Sequence, residues 1–205
     1  MPSDPTSILY DHYKDTCSII SEAVKRRDRA MLFVIIAAGF FAFQTIFPSA
    51  ADHAVTDYLS FKFGLTLQVD LSVIGNIVWL LVLLFTLRYF QTAVFVERQY
   101  AYLHQLEDKL NSAIGQEILT REGKSYLADY PWFSDWMWTL YTIIFPALLL
   151  FVTCMKISGE WVRVAGNGFS FGLLVNSVLF VLLLISVALY VVVLHFKKAK
   201  QPTSR

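Results

Sequence analysis

The stretch that decides the fold is residues 169–196, FSFGLLVNSVLFVLLLISVALYVVVLHF, in which 28 consecutive residues include no Lys, Arg, Asp or Glu. A transmembrane helix needs about 20 apolar residues, because the hydrocarbon core is ~30 Å thick and a helix rises about 1.5 Å per residue. This run therefore predicts a membrane-spanning helix that tilts or continues past the interface. The whole chain agrees, since its 205 residues are 56% hydrophobic and only 16% charged.

Three further apolar runs, at 30–47, 71–87 and 137–155, precede this one, and none of the four contains an acidic residue. Together they predict an all-α fold, a four-span transmembrane helical bundle with a cytoplasmic helical stalk. The predicted organisation is a cytoplasmic amphipathic helix at 1–29, transmembrane hairpin 1 at 30–90 with an outer loop at 48–70, a cytoplasmic helix and connector at 91–135, transmembrane hairpin 2 at 136–196 and a basic cytoplasmic tail at 197–205.

The orientation of the bundle follows from the basic residues. Fourteen of the 17 Lys and Arg residues lie before the first run, between the second and third runs, or after the fourth. The positive-inside rule therefore predicts cytoplasmic termini, with 48–70 and 156–168 as outer loops. The strongest element is the membrane-surface basic cluster beside the first run, formed by Lys25, Arg26, Arg27 and Arg29. The alternative, cleavage of the first run as a signal peptide near Ala50, is disfavoured by the long mixed-charge segment ahead of it.

Two helices are predicted on the cytoplasmic side. The first begins at Pro5, after a capping Asp4, and carries an apolar stripe at three- or four-residue spacing. The stripe comprises Leu9, Tyr13, Cys17, Ile20 and Val24. The second continues from span two, because no Gly or Pro interrupts 76–114, and we expect it to end near Gly115.

A short heptad-like seam on the second helix offers the first helix a partner. Val96, Leu103 and Leu110 repeat every seven residues, with further apolar side chains between them. This spacing predicts helix packing but is too short for an independent coiled coil. The candidate cytoplasmic interface therefore comprises Tyr100, Leu103, Leu106 and Leu110.

Polar residues inside the apolar runs are the candidate functional groups. Asn76, Asn176 and Thr142 are candidate intramembrane polar or pore residues, because an amide in hydrocarbon is costly unless it is hydrogen-bonded or faces water. Two readings remain open for the amides, interhelical hydrogen bonds or a ring that lines a pore. Pro146 is a candidate gate, because it should kink its helix, although such kinks are also common static features.

The sequence lacks the patterns of known catalytic and metal sites. The four histidines are scattered, and no HExxH, paired CxxC, Walker or nucleophile-elbow pattern occurs. We therefore expect no enzyme activity, no cofactor and no metal. Without an intramembrane Asp or Glu in these runs, proton-coupled transport is also not expected. The net charge of +1 makes direct binding of nucleic acid unlikely as a function.

One resemblance concerns the layout of the whole chain. A basic helix with Tyr10, Tyr13 and the 25–29 cluster leads into span one, and a long helix at 88–110 leaves span two. In this layout the chain resembles small polytopic proteins of bacterial anti-phage defence systems, including two-span SLATT-type effectors and the four-span membrane subunit of the Kiwa system. The resemblance implies a homo-oligomer in the bacterial inner membrane that works with a cytosolic protein partner, either a sensor or a nucleic-acid-binding protein, and it assigns no functional residue.

Two functional hypotheses follow. The first is a homo-oligomeric, channel-like membrane effector of antiviral defence that receives a signal through its cytoplasmic helices. The alternative is a non-conducting membrane scaffold that tethers a cytosolic partner through the same helices.

Overall fold

A computed structural model describes residues 5–64, 71–119, 132–167 and 170–196, and all regular structure in these ranges is helical. The all-α prediction is therefore confirmed. The helices are α1 (Pro5–Ile46), α2 (Pro48–Phe63), α3 (Leu71–Ile114), α4 (Trp132–Thr139), α5 (Phe145–Asn167) and α6 (Phe171–Phe196). A π-helical turn at Leu140–Ile144 joins α4 to α5. The tail at 197–205 and most of the connector lie outside the described residues.

Four helical segments are long and apolar enough to cross a membrane. They are Pro5–Ile46, Ile74–Ile114, Trp136–Arg163 and Phe171–Leu194. The predicted four spans are thus confirmed, and the chain is a multi-pass membrane protein. Each segment overlaps one of the four apolar runs.

The end of α3 follows the predicted local signal. This helix runs without interruption to Ile114, while the predicted capping Asp4 of α1 lies outside the described residues. Gly115 then adopts a positive φ of 72°, and its N–H donates to the carbonyl of Asn111 at 2.9 Å. The Asn111 side chain also bonds the backbone of Leu119, accepting from its N–H at 2.9 Å and donating to its carbonyl at 2.7 Å. The first bond satisfies a carbonyl of the last helical turn, and the other two hold the chain that follows the helix against its end.

Two segments predicted as outer loops are largely helical, which corrects the sequence-based expectation. In 48–70, Pro48 opens α2 at a position where a fixed φ favours a helix, and Gly64 ends it with a φ of 62°. In 156–168, α5 continues as far as Asn167 because no proline follows Pro146 in this helix. Lys156 and Glu160 therefore lie within the candidate span Trp136–Arg163.

The chain divides into two compact units. Unit 1 comprises Met1–Arg29 and Arg88–Leu140, and unit 2 comprises Ala30–Leu87 and Tyr141–Arg205. Both α1 and α3 contribute residues to each unit.

Unit 1 is held together by the predicted pairing of α1 with α3. The Tyr13 hydroxyl donates a hydrogen bond to Glu107 Oε1 at 3.1 Å. The buried side chains are Thr16, Ile20 and Ala23 on α1 and Val96, Leu103, Leu106 and Leu110 on α3. The buried face of α1 is thus rotated by about one position from the predicted stripe, since Thr16 and Ala23 are buried where Cys17 and Val24 are half-buried.

Unit 2 packs around an aromatic centre. Its core includes Phe41 from α1 and Trp79 from α3, whose ring centroids lie 4.9 Å apart, and Phe180 from α6 approaches Trp79 edge-on at 6.1 Å. Leu149 and Ile157 of α5 complete this core. Side chains from all four long helices therefore meet in unit 2.

The core of unit 1 can be tested by substitution of the buried Leu103. Leu103→Ala is expected to destabilise this unit by about 2–5 kcal/mol, because it removes a side chain that is 1% exposed and leaves a cavity. Ile114→Ala is the matched control, because Ile114 is 43% exposed at the end of α3. Limited proteolysis of the purified protein in detergent measures the effect. Equal protease sensitivity of the two variants would contradict this description of the unit 1 core.

Candidate polar site in the membrane bundle

Asn176, a predicted intramembrane polar residue, is buried in α6 with 4% of its surface exposed. Its Nδ2 donates a hydrogen bond to Glu160 Oε2 at 2.9 Å. Because an ionised carboxylate can only accept, this bond fixes which end of the amide faces Glu160. Asn176 Oδ1 then remains as a buried acceptor, and it has no partner among the described residues.

Glu160 is bonded by side chains from three helices. Its Oε1 accepts from Trp79 Nε1 of α3 at 3.3 Å and lies 3.3 Å from Lys156 Nζ of α5. Its Oε2 accepts from Asn176 of α6. We call these four residues, Trp79, Lys156, Glu160 and Asn176, the Glu160 cluster.

Lys156 extends the cluster toward α1. Its side chain is 7% exposed and that of Glu160 is 15% exposed. The ammonium lies 5.6 Å from the centroid of the Phe41 ring, which is a cation–π contact. A buried charge is tolerated when it is paired and hydrogen-bonded, and each member of this ion pair has such contacts.

Two further buried oxygens of unit 2 have no hydrogen-bond partner among the described residues, Gln44 Oε1 and Thr86 Oγ1. Gln44 lies three residues after Phe41 and so shares its face of α1. Thr86 lies seven residues after Trp79, about 10 Å further along the same face of α3. Unsatisfied polar groups therefore occur at two depths in the bundle.

Asn76, the second predicted amide, is half-buried on α3. A Cβ built on Gly172 of α6 would lie 3.0 Å from Asn76 Nδ2, so glycine at 172 leaves room for this amide. Gly172 precedes Asn176 by one helical turn. The structure thus brings Asn76 and Asn176 to the interface of α3 with α6 at neighbouring levels.

The other predicted residues of the spans lie near the π-helical turn. Thr142 is buried within this turn, and Pro146 is buried at the start of α5. A proline lacks an N–H and its ring clashes with the carbonyl four residues earlier, here that of Thr142. The wider π turn relieves this conflict. Gating at Pro146 and pore lining by Thr142 stay predictions.

The predicted surface residues belong to unit 1. Lys25, Arg26 and Arg29 are exposed, whereas Arg27 is half-buried and bonds Asp28 at 2.9 Å. In the candidate interface, Leu103, Leu106 and Leu110 are buried within unit 1 and Tyr100 is exposed. A partner would therefore reach Tyr100 and not the leucines.

Sequence reasoning missed Glu160, Lys156 and Trp79. Glu160 was not considered among the polar residues of the spans, because the third apolar run was ended at the charge of Lys156. The signal was the i,i+4 spacing of Lys156 and Glu160, which places opposite charges on one helix face where they neutralise each other. Trp79 gave no signal beyond its apolar character.

The cluster can link helices through its polar contacts, and it can bind water. Its carboxylate, its ammonium and the amide nitrogen of Asn176 are paired, while Asn176 Oδ1 can accept a hydrogen bond from water. Among the described residues no group of three or more His, Cys, Asp or Glu side chains could hold a metal ion.

Comparisons with known proteins give no match. Neither a family model, a curated protein nor a solved structure is similar to the chain. The four spans and the Glu160 cluster are therefore the observations on which a function can be based.

The contribution of the Lys156–Glu160 ion pair to stability can be tested by substitution. Glu160→Ala is expected to destabilise unit 2 by about 3–5 kcal/mol, because it leaves Lys156 buried without its counter-charge. The double variant Lys156→Met/Glu160→Gln removes both charges and should recover most of this loss. Unfolding in mixed detergent–SDS micelles measures the difference.

The exposed pair Arg27–Asp28 provides the control. Arg27→Ala should cost less than about 1 kcal/mol, because surface ion pairs contribute little. A double variant of the cluster that is less stable than Glu160→Ala alone would show that the two charges do not compensate each other.

Proposed function

We propose that the chain is a subunit of a homo-oligomeric membrane effector whose spans form or open a conduction path. It acts in the bacterial inner membrane as a component of antiviral defence, together with a cytosolic protein partner. The observation that carries the conduction proposal is the Glu160 cluster together with the three buried oxygens of unit 2 that have no hydrogen-bond partner among the described residues.

A bundle that only anchors a protein in lipid has no need of this cluster. Replacing a buried ion pair by well-packed hydrophobic residues is often neutral or stabilising. Ionisable groups inside spans commonly mark pathways for ions or substrates. Asn176 Oδ1, Gln44 Oε1 and Thr86 Oγ1 would each gain a hydrogen bond if water entered the bundle.

The outward faces of unit 2 support lipid contact and association with further copies. Large exposed side chains of α6 are apolar, and they are Phe171, Leu174, Val178, Val181, Leu182, Ile185, Leu189 and Val192. In lipid such faces are satisfied by acyl chains or by the apolar faces of other subunits. We therefore propose that such faces allow copies of the chain to associate into a homo-oligomer.

The orientation and the role in defence rest on the sequence. The excess of basic residues in the two terminal segments and the central segment supports cytoplasmic termini, with Lys25, Arg26 and Arg29 exposed beside the first span. The layout shared with membrane proteins of anti-phage systems supports defence and a cytosolic partner. No enzymatic step forms part of the proposal.

Planar-bilayer recording of the purified protein tests conduction. Wild-type protein should give discrete currents, and Asn76→Leu should lower their amplitude because it replaces a polar side chain beside Gly172 with an apolar one. Ser186→Ala is the control, because the Ser186 hydroxyl only bonds the carbonyl of Leu182 on its own helix. Absence of current from folded protein, with or without its cytosolic partner, would reject conduction.

A second candidate is a non-conducting scaffold that tethers a cytosolic protein. The observation that favours it is the exposed aromatic surface of unit 1, where Phe95 and Tyr102 share one face of α3. Tyr100 is also exposed on this helix. Such rings commonly anchor protein interfaces.

A phage-protection assay in cells that express the protein distinguishes the two candidate functions. A scaffold predicts that Phe95→Glu/Tyr102→Glu abolishes protection, while Asn76→Leu has no effect. Gln105→Glu, a charge change at an exposed position of the same helix, should be neutral in either case. Loss of protection in Asn76→Leu at normal protein level would exclude a purely tethering role.

A further inference from the structure

The Glu160 cluster links three helices, and its contacts leave one polar atom of the cluster without a hydrogen bond. The linking contacts are the hydrogen bonds from Trp79 and Asn176 and the ion pair with Lys156. Since these donors belong to α3, α6 and α5, the three helices must stay together for Glu160 to keep all of its contacts. Hydrogen bonds to a charged group are stronger than those between neutral groups.

The same packing leaves Asn176 Oδ1 buried without a partner among the described residues. The Asn176 amide cannot turn over to relieve this, because its Nδ2 is held by Glu160. Gln44 Oε1, on the face of α1 that carries Phe41, is in the same condition. Both oxygens would be satisfied if the helices parted and water entered.

Parting of the helices would therefore reverse which groups of the cluster are satisfied. When the helices are together, Glu160 is satisfied and the amide oxygens are not. When the helices part, the amide oxygens are hydrated and Glu160 exchanges its protein donors for water. Closely balanced alternatives of this kind are what a switchable element requires.

We propose that the Glu160 cluster is the latch that holds the conduction path of unit 2 closed, with Glu160 as the residue to which α3, α5 and α6 are tied. Opening is the separation of these helices and the entry of water to the cluster. The functional meaning of the latch rests on the proposed conduction. Its existence can be measured without any current.

The test measures access of water-soluble reagent to the interior of unit 2. Thr153 is a suitable reporter position, because it is fully buried on α5, three residues before Lys156, and Thr→Cys introduces no larger side chain. Thr153→Cys is introduced into a Cys17→Ser/Cys154→Ser background. Labelling by a membrane-impermeant, charged methanethiosulfonate is followed in proteoliposomes.

Glu160→Gln is expected to accelerate labelling of the reporter by about tenfold or more, since hydrogen bonds to a charged group contribute enough to shift an equilibrium by that factor. Adding Gln44→Met should reverse much of this increase. Methionine keeps the shape of glutamine but removes the oxygen that gains from hydration.

Glu97→Gln is the matched control. Glu97 accepts a hydrogen bond from Trp138 Nε1 at 3.3 Å, which is the same bond type as Trp79 to Glu160 but belongs to unit 1. This variant should leave labelling of Thr153→Cys unchanged. An equal acceleration by Glu97→Gln would overturn the assignment of the latch to the Glu160 cluster.

Unchanged labelling in folded Glu160→Gln would overturn the latch. Should this variant fail to fold, Trp79→Phe serves instead, because it removes one donor and keeps an aromatic ring in the core. A smaller acceleration is then expected, and no change would again overturn the latch. Faster labelling in the absence of current from any variant would support the latch and reject conduction.

Discussion

The carboxylate of Glu160 imposes the strictest constraint on the packing of unit 2. A negative charge among apolar helices must be surrounded by donors, and Trp79, Lys156 and Asn176 supply them from three helices. This requirement fixes the levels at which the helices meet. It sets α6 against α3 so that Gly172 lies opposite Asn76, where a larger residue would displace the amide.

Strong local signals account for the part of the fold that could be predicted. Each of the four apolar runs is long enough to predict a membrane-spanning helix by itself, since in lipid every backbone polar group must be bonded within the helix. The continuity of α3 over 76–114 followed from the lack of Gly and Pro in that stretch, and its end followed from Gly115. These features need no knowledge of neighbouring helices.

The candidate site could not be predicted in the same way. Asn176 was recognised because an amide stands out in an apolar run. Glu160 was hidden, because the charge of Lys156 appeared to end the span and only the folded bundle shows both charges paired inside it. The buried face of α1 in unit 1 was likewise off by one position, since Thr16 and Ala23 became buried through contact with another helix. In each case the deciding partner is distant in sequence.

Two tryptophan–glutamate hydrogen bonds can be compared. They show that the energetic importance of the Glu160 cluster depends on its environment and not on the type of bond. Trp138 and Glu97 of unit 1 are both half-buried, so water can replace either partner at low cost. Trp79 is almost fully buried and Glu160 carries an ion pair beside it, so loss of one partner leaves a charge without compensation. A bond of the same length therefore belongs to a half-buried contact in one unit and to a buried, charged contact in the other.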